Sequence, residues 1–147
     1  MKKDLIEQHA EVYKFDGYSP IAGKILGLFY VSDKKYFTFE ELMEEIPASK
    51  SAVSKALKVL IERKDINYIY KEDNKRKRLF YFDIEGFISG LEDAMEAYTH
   101  HRVLLQKSLE LRSNKNIEFN EFIEKSINFN KSIISVIQEK IDKHLRS

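Results

Sequence analysis

Between Asp65 and Phe82 the chain leaves one hydrophobic period for another and then returns to the first. Before and after this stretch, apolar residues recur every three to four positions, as a buried helical stripe requires. Within it, Ile66, Tyr68 and Tyr70 alternate with Asn67, Ile69 and Lys71. The charged segment Glu72-Asp73-Asn74-Lys75 then intervenes, and Leu79-Phe80-Tyr81-Phe82 follows as an aromatic run. Two strands of period two joined by a polar turn make a β-hairpin, here with a charged tip. A lone hairpin embedded in helical sequence sets the class as mainly α with a small β-hairpin (α+β). Five Gly and two Pro in 147 residues suit long helices and argue against a loop-rich sandwich.

Residues 3–15 place Leu5, Ile6, His9, Val12 and Tyr13 at helical spacing until Asp16-Gly17 breaks the pattern. Ser19-Pro20 is an N-cap followed by Pro at the first helical position, and it opens a helix to about Val31. That helix is apolar nearly all round and is expected to be central. Gly23 and Gly27 leave one side smooth for close packing. Tyr36-Phe37 is a short extended piece. Thr38 with Glu41 makes a capping box for a helix over Phe39–Ile46. Pro47-Ala48 ends it, and Ser49 caps a helix running to about Lys64. Beyond Asp83, helices are expected over about 84–112 and from about 117 to 145, separated at Asn114 and Asn116.

The net charge of +1 conceals segregation. Residues 1–49 carry −3 and residues 83–147 carry −2, whereas residues 50–78, with ten Lys and Arg, carry +6. A block of this kind attracts polyanions and speeds encounter with them. The absence of Cys excludes disulfides, thiol catalysis and Cys-based zinc sites, and a cytoplasmic location is expected. No apolar run approaches the ~20 residues that cross a bilayer, and Met1-Lys2-Lys3-Asp4-Leu5 lacks the marks of a secretory leader. No membrane partner is expected.

The element order (helix, helix, short strand, helix, turn, helix, strand, turn, strand) is that of a winged helix-turn-helix. The helix after Ser49 tests this physically. Val53, Ala56, Leu57, Leu60 and Ile61 recur at helical spacing and are expected to pack inward. Lys50, Ser51, Ser54, Lys55 and Lys58 occupy the other side, which holds no carboxylate before Glu62. A DNA major groove admits such a face, because small residues let the backbone approach while Lys and Ser reach phosphates and base edges. Ser49, Lys50, Ser51, Ser54, Lys55 and Lys58 are therefore the candidate recognition residues. The wing candidates are Asn74, Lys75, Arg76, Lys77 and Arg78, placed to follow the backbone or enter a narrow minor groove.

The stretch Gly17-Tyr18-Ser19-Pro20-Ile21-Ala22-Gly23-Lys24-Ile25-Leu26-Gly27-Leu28-Phe29-Tyr30-Val31-Ser32-Asp33 resembles the opening of regulators related to the glycine betaine synthesis repressor (GbsR), a branch of the MarR superfamily. Phe39-Glu40-Glu41-Leu42 and Ser49-Lys50-Ser51-Ala52-Val53-Ser54-Lys55-Ala56-Leu57-Lys58-Val59-Leu60 extend the likeness, which covers about residues 5–85. The resemblance implies a dimeric transcription factor, commonly a repressor, with the 49–63 helix in the major groove and 71–78 as the wing. Relatives often carry Gly in the wing turn, where this chain has Glu72-Asp73-Asn74.

Three regions are expected: an N-terminal dimerisation helix (1–16), a winged helix-turn-helix DNA-binding domain (17–83) and a helical dimerisation region (84–147). The last rests on a stripe of Phe119, Phe122, Ile123, Ile127, Ile133, Ile134, Ile137, Ile141 and Leu145, with Phe129 and Val136 adding apolar surface outside it. This is more than one partner helix covers, so a second copy is expected, and a charge at Ile134 or Ile137 is expected to lower both solubility and DNA affinity. The expected partners are thus double-stranded DNA and self, with no cofactor, no metal and no identified effector. His9, His100, His101 and His144 fall on no ligand pattern, Glu40/Glu41 and Glu44/Glu45 form an acidic rim, and no nucleophile or phosphate-loop motif occurs. An enzyme is not expected. Tyr13, Phe15, Tyr18, Phe87 and Tyr98 are aromatic enough to line a pocket, but core packing accounts for them. The same features also suit a winged-helix protein-assembly module or a non-specific nucleic-acid binder.

Overall fold

The computed structural model describes residues 1–146. The helices are α1 (Lys2–Lys14), α2 (Pro20–Val31), α3 (Phe39–Glu45), α4 (Lys50–Glu62), α5 (Ile84–Leu111) and α6 (Ile117–His144); the strands are β1 (Ile66–Lys71) and β2 (Asn74–Phe82). The chain forms two compact units, Met1–Phe87 and a second beginning at Ile88. Among the described residues no helix is long and apolar enough to cross a membrane.

The first unit has the winged-helix order expected from the sequence. Its helix starts are set by side chains that satisfy backbone N–H groups left without a helical partner. Ser19 Oγ accepts from Ala22 N at 3.2 Å, with Pro20 at the first position of α2. Thr38 Oγ1 and Glu41 Oε1 form the capping box of α3, at 3.1 and 3.0 Å. Ser49 Oγ accepts from Ala52 N at 3.1 Å and opens α4. At its other end, α4 stops where Lys64 adopts φ 69°, with Asp65 N donating to Leu60 O and Lys64 N donating to Ile61 O, both at 3.0 Å. This pair of bonds is the Schellman arrangement, built here on a non-glycine residue.

α2 lies at the centre, with Ala22, Ile25, Leu26 and Leu28 at most 1% exposed. Around it the core takes Leu42 from α3, Val53, Leu57 and Leu60 from α4, Ile66 from β1 and Phe80 from β2. Burying each such side chain contributes roughly 1.5–3 kcal/mol. The glycine side of α2 receives α1. A Cβ added at Gly23 would lie 2.9 Å from Ala10 Cα, and one at Gly27 would lie 3.0 Å from His9 Cβ and 3.1 Å from Ile6 O. α1 thus packs on α2 through Ile6 and Ala10, leaving Val12 and Phe15 exposed. Phe37, in the expected extended piece, exchanges two backbone hydrogen bonds with Phe80, at 2.9 and 2.8 Å, and so adds a third short strand segment beside the hairpin.

In the second unit α5 and α6 are antiparallel. Arg112 Nε donates to Asn120 Oδ1 at 2.7 Å, Asn130 Nδ2 to the Tyr98 carbonyl at 3.0 Å, and Gln138 Nε2 to Glu92 Oε2 at 3.1 Å, so one sequence descends as the other ascends. Ile88, Ile123, Ile127 and Ile141 are buried. The apolar surface of α6 divides differently from the single stripe expected. Ile134 and Ile137 share the half-buried side with Ile123, Ile127 and Ile141. Phe119, Phe122 and Ile133 instead join Phe129 and Val136 in a second, exposed row.

Candidate nucleic-acid interface

Amphipathicity fixes which way α4 faces. Val53, Ala56, Leu57 and Leu60 are buried, which turns Lys50, Ser51, Ser54, Lys55 and Lys58 to solvent. Ser49 is exposed as well, but its oxygen already accepts from Ala52 N in the cap. The outer face therefore presents three ammonium groups and two uncommitted hydroxyls beside the positive end of a helix dipole.

The hairpin departs from its expected form, and the turn chemistry explains how. Glu72 and Asp73 are a two-residue turn between Lys71 and Asn74. Two-residue hairpin loops that match strand twist need positive φ. Among the described residues only Gly17 and Lys64 have it. Without that match the ladder breaks at once: Lys71 pairs with Asn74, but the next pair is Tyr70 with Arg78. No β1 residue is registered opposite Lys75, Arg76 or Lys77, and Asn74 Oδ1 accepts from Arg76 N at 3.0 Å to organise the bulge. The basic segment placed at the tip is thus a bulge within β2, exposed throughout.

Arg78 stands apart from that bulge. Period-two alternation puts it on the same face of β2 as Phe80. Its guanidinium carbon lies 4.9 Å from the ring centroids of both Tyr68 and Phe80. An open groove of about 660 Å³ runs between α4 and the hairpin, lined by Ser51, Ser54, Lys55, Lys58, Glu62 and Arg78, among others. A smaller depression of about 220 Å³ joins Lys50 to Arg76, Lys77 and Arg78, with Glu40 also in its lining. All the recognition and wing candidates except Ser49, Asn74 and Lys75 line one or the other. Such a surface can bind a phosphodiester strand and place hydroxyl and ammonium donors at base edges.

A second cluster, not anticipated from the sequence, ties the far end of α4 to the α1–α2 junction. Arg63 lies over the Tyr18 ring at 4.0 Å, and its Nη2 donates to the Asp16 carbonyl at 3.1 Å. Tyr18 donates its hydroxyl proton to Asp65 Oδ2, and Asp65 is only 5% exposed. Burial pushes the Asp65 carboxyl above the usual carboxylate range, against the opposing pulls of the Tyr18 hydrogen bond and the Arg63 charge. The Tyr18 phenol is raised too, by burial first and then by its bond to Asp65, so it stays a donor. Tyr13 packs edge-on against Tyr18 and donates to the Tyr30 hydroxyl at 2.9 Å, while His9 stacks on Tyr30 at 4.8 Å. An acidic residue in an otherwise apolar strand start was the available signal for Asp65. Of the aromatic residues considered for a pocket, Tyr13 and Tyr18 belong to this cluster and Phe87 packs on Phe82, whereas Phe15 and Tyr98 are exposed. Among the described residues no group of three or more His, Asp or Glu is arranged to hold a metal ion.

No protein-family model matches the chain, and no curated protein matches it. One solved structure, described as a transcriptional regulator, aligns over 99% of this chain and 99% of its own, with a TM-score of 0.74 at 17% sequence identity. A likeness of that extent shows the fold class: six helices and a two-stranded hairpin, matching a winged-helix fold. A mutant of S. aureus MepR aligns over 92% of this chain and 89% of its own with a TM-score of 0.45 at 20% identity, too loose to add to the assignment.

Proposed function

We infer that the chain is a sequence-specific, double-stranded DNA-binding transcriptional regulator of the MarR superfamily, GbsR-like, acting as a homodimeric repressor on a pseudo-palindromic site. One observation carries this reading. The exposed face of α4, with no carboxylate before Glu62, borders the same groove as Arg78 and stands beside the basic bulge of β2. In this arrangement α4 enters the major groove, Ser51, Ser54 and Lys55 reach base edges, and Lys50, Lys58 and the wing meet phosphates or the adjacent minor groove. The description of the aligned structure as a transcriptional regulator and the sequence resemblance of residues 5–85 support the same reading.

The dimer reading rests on the exposed row of α6. Phe119, Phe122, Phe129, Ile133 and Val136 are between 38% and 68% exposed in the single chain. Contiguous apolar surface of this kind marks an interface, and two-fold pairing of long helices buries on the order of 2,000 Å² or more. Residues 1–16 and 84–147 supply this adhesive, and 17–83 bind DNA.

A mobility-shift titration tests the reading, using the DNA upstream of the chain's own coding sequence and an unrelated duplex at two salt concentrations. Tighter binding to the upstream DNA, weakening with salt, is expected. Equal affinity for both duplexes makes the chain a non-specific nucleic-acid binder. No binding even at low salt makes it a protein-assembly module.

A further inference from the structure

Arg78 is held differently from the three basic residues that precede it. It is registered in the ladder opposite Tyr70, whereas Lys75, Arg76 and Lys77 have no β1 residue across from them. It stacks against two rings, one of which, Phe80, is fully buried in the core. It also lines both depressions: with Ser51, Ser54 and Lys58 on one side, and with Lys50, Arg76 and Lys77 on the other. The guanidinium thus stands between the helix face and the bulge.

On the DNA-binding reading, on which this inference rests, α4 lies in a major groove and the bulge meets the neighbouring minor groove. One sugar–phosphate strand separates the two. We propose that Arg78 clamps that strand: its planar fork takes one backbone phosphate through paired N–H bonds, with the Lys58 ammonium on the facing wall of the groove. Arginine matches phosphate oxygens in this way and lysine does not. A guanidinium already stacked on two rings has less freedom to lose when it binds. Glu62, one turn beyond Lys58 on α4, repels a phosphate and bounds the site on that side. Arg78 then sets the angle at which helix and wing meet the duplex, while the bulge supplies charge.

The test is a scan of neutral methylphosphonate linkages, placed one at a time. The probe is a duplex of about 30 base pairs, roughly three helical turns, enriched from a random library by the wild-type protein. One neutralised phosphate in each half-site is expected to weaken the wild type roughly tenfold, the size of one charged hydrogen bond. Arg78→Ala is expected to bind the unmodified duplex roughly tenfold more weakly, and to lose no more than about twofold further at that phosphate. Arg78→Lys, which keeps the charge without the fork, is expected to fall between. Circular dichroism and melting separate these effects from folding, and Arg78→Lys serves alone if Arg78→Ala does not fold. Equal losses in wild type and variant at every phosphate overturn the clamp. A wild-type protein that enriches and binds no duplex overturns the DNA-binding reading itself, and the clamp with it.

Discussion

Single side chains divide between those that make the surface and those that hold it in place. Ser54 and Lys55 are legible in the sequence, because their positions relative to Val53, Ala56 and Leu57 fix the face they occupy. Replacing either with Ala is expected to cost roughly 1–3 kcal/mol at the preferred site and to relax sequence preference there, as competition titrations against base-substituted duplexes would show. If Lys55→Ala left affinity for the preferred site unchanged at physiological salt, the orientation assigned to α4 would be wrong. Asp65 and Arg63 were not legible as a pair, because nothing in a period marks the return of a helix C-terminus to Tyr18, 47 residues earlier in the chain. Their geometry has a consequence for pH. With its carboxyl raised by burial, the folded protein holds a proton on Asp65 that the unfolded chain has released, but only between the ordinary carboxylate range and the raised value. Stability from this group is therefore present below the ordinary carboxylate range and lost as pH rises through the raised value. Asp65→Asn keeps an acceptor for the Tyr18 hydroxyl but has no charge to bury. Urea unfolding at acid and neutral pH is expected to show the variant improving relative to wild type as pH rises, and an advantage independent of pH would contradict this.

At the scale of elements, boundaries carried by caps could be read closely. Ser19-Pro20, Thr38 with Glu41, and Ser49 each begin a helix where their side-chain chemistry demands one. The start of β2 could not, because Asn74–Arg78 has no apolar alternation and its pairing follows from a turn made without positive φ. The glycines of α2 were legible as a smooth side, although their partner was not. The partner is α1, close enough that a Cβ at Gly23 would meet Ala10 Cα at 2.9 Å. Gly23→Ala gives α2 a better helix former and should stabilise it in isolation. In the protein the forced separation of α1 from α2 is expected to dominate, for a net loss of about 1–3 kcal/mol in urea unfolding. A stability equal to or above that of wild type would show that α1 does not pack as described.

For the whole molecule the excess of apolar residues on α6 was plain in the sequence, but their division into two rows was not. Phe122 and Ile133 fall close enough to the buried row in a helical projection that only packing against α5 separates them. That division moves the decisive substitutions. A charge at Ile134 or Ile137 enters the half-buried side shared with Ile127 and Ile141 and disrupts the chain's own fold. Ile133→Glu or Val136→Glu strikes the exposed row. Either is expected to shift sedimentation from about twice 17.4 kDa to 17.4 kDa, with the helical circular dichroism retained and DNA affinity lowered. A wild type already at 17.4 kDa would contradict the dimer. A two-fold winged-helix reader of DNA sequence leaves a distinctive hydroxyl-radical footprint on a duplex enriched by the wild-type protein. Two symmetric blocks of protection are expected, with centres about one helical turn apart, roughly 34–36 Å, each extending from a major groove into the flanking minor groove. Uniform protection along the duplex, or a single unpaired block, would contradict it.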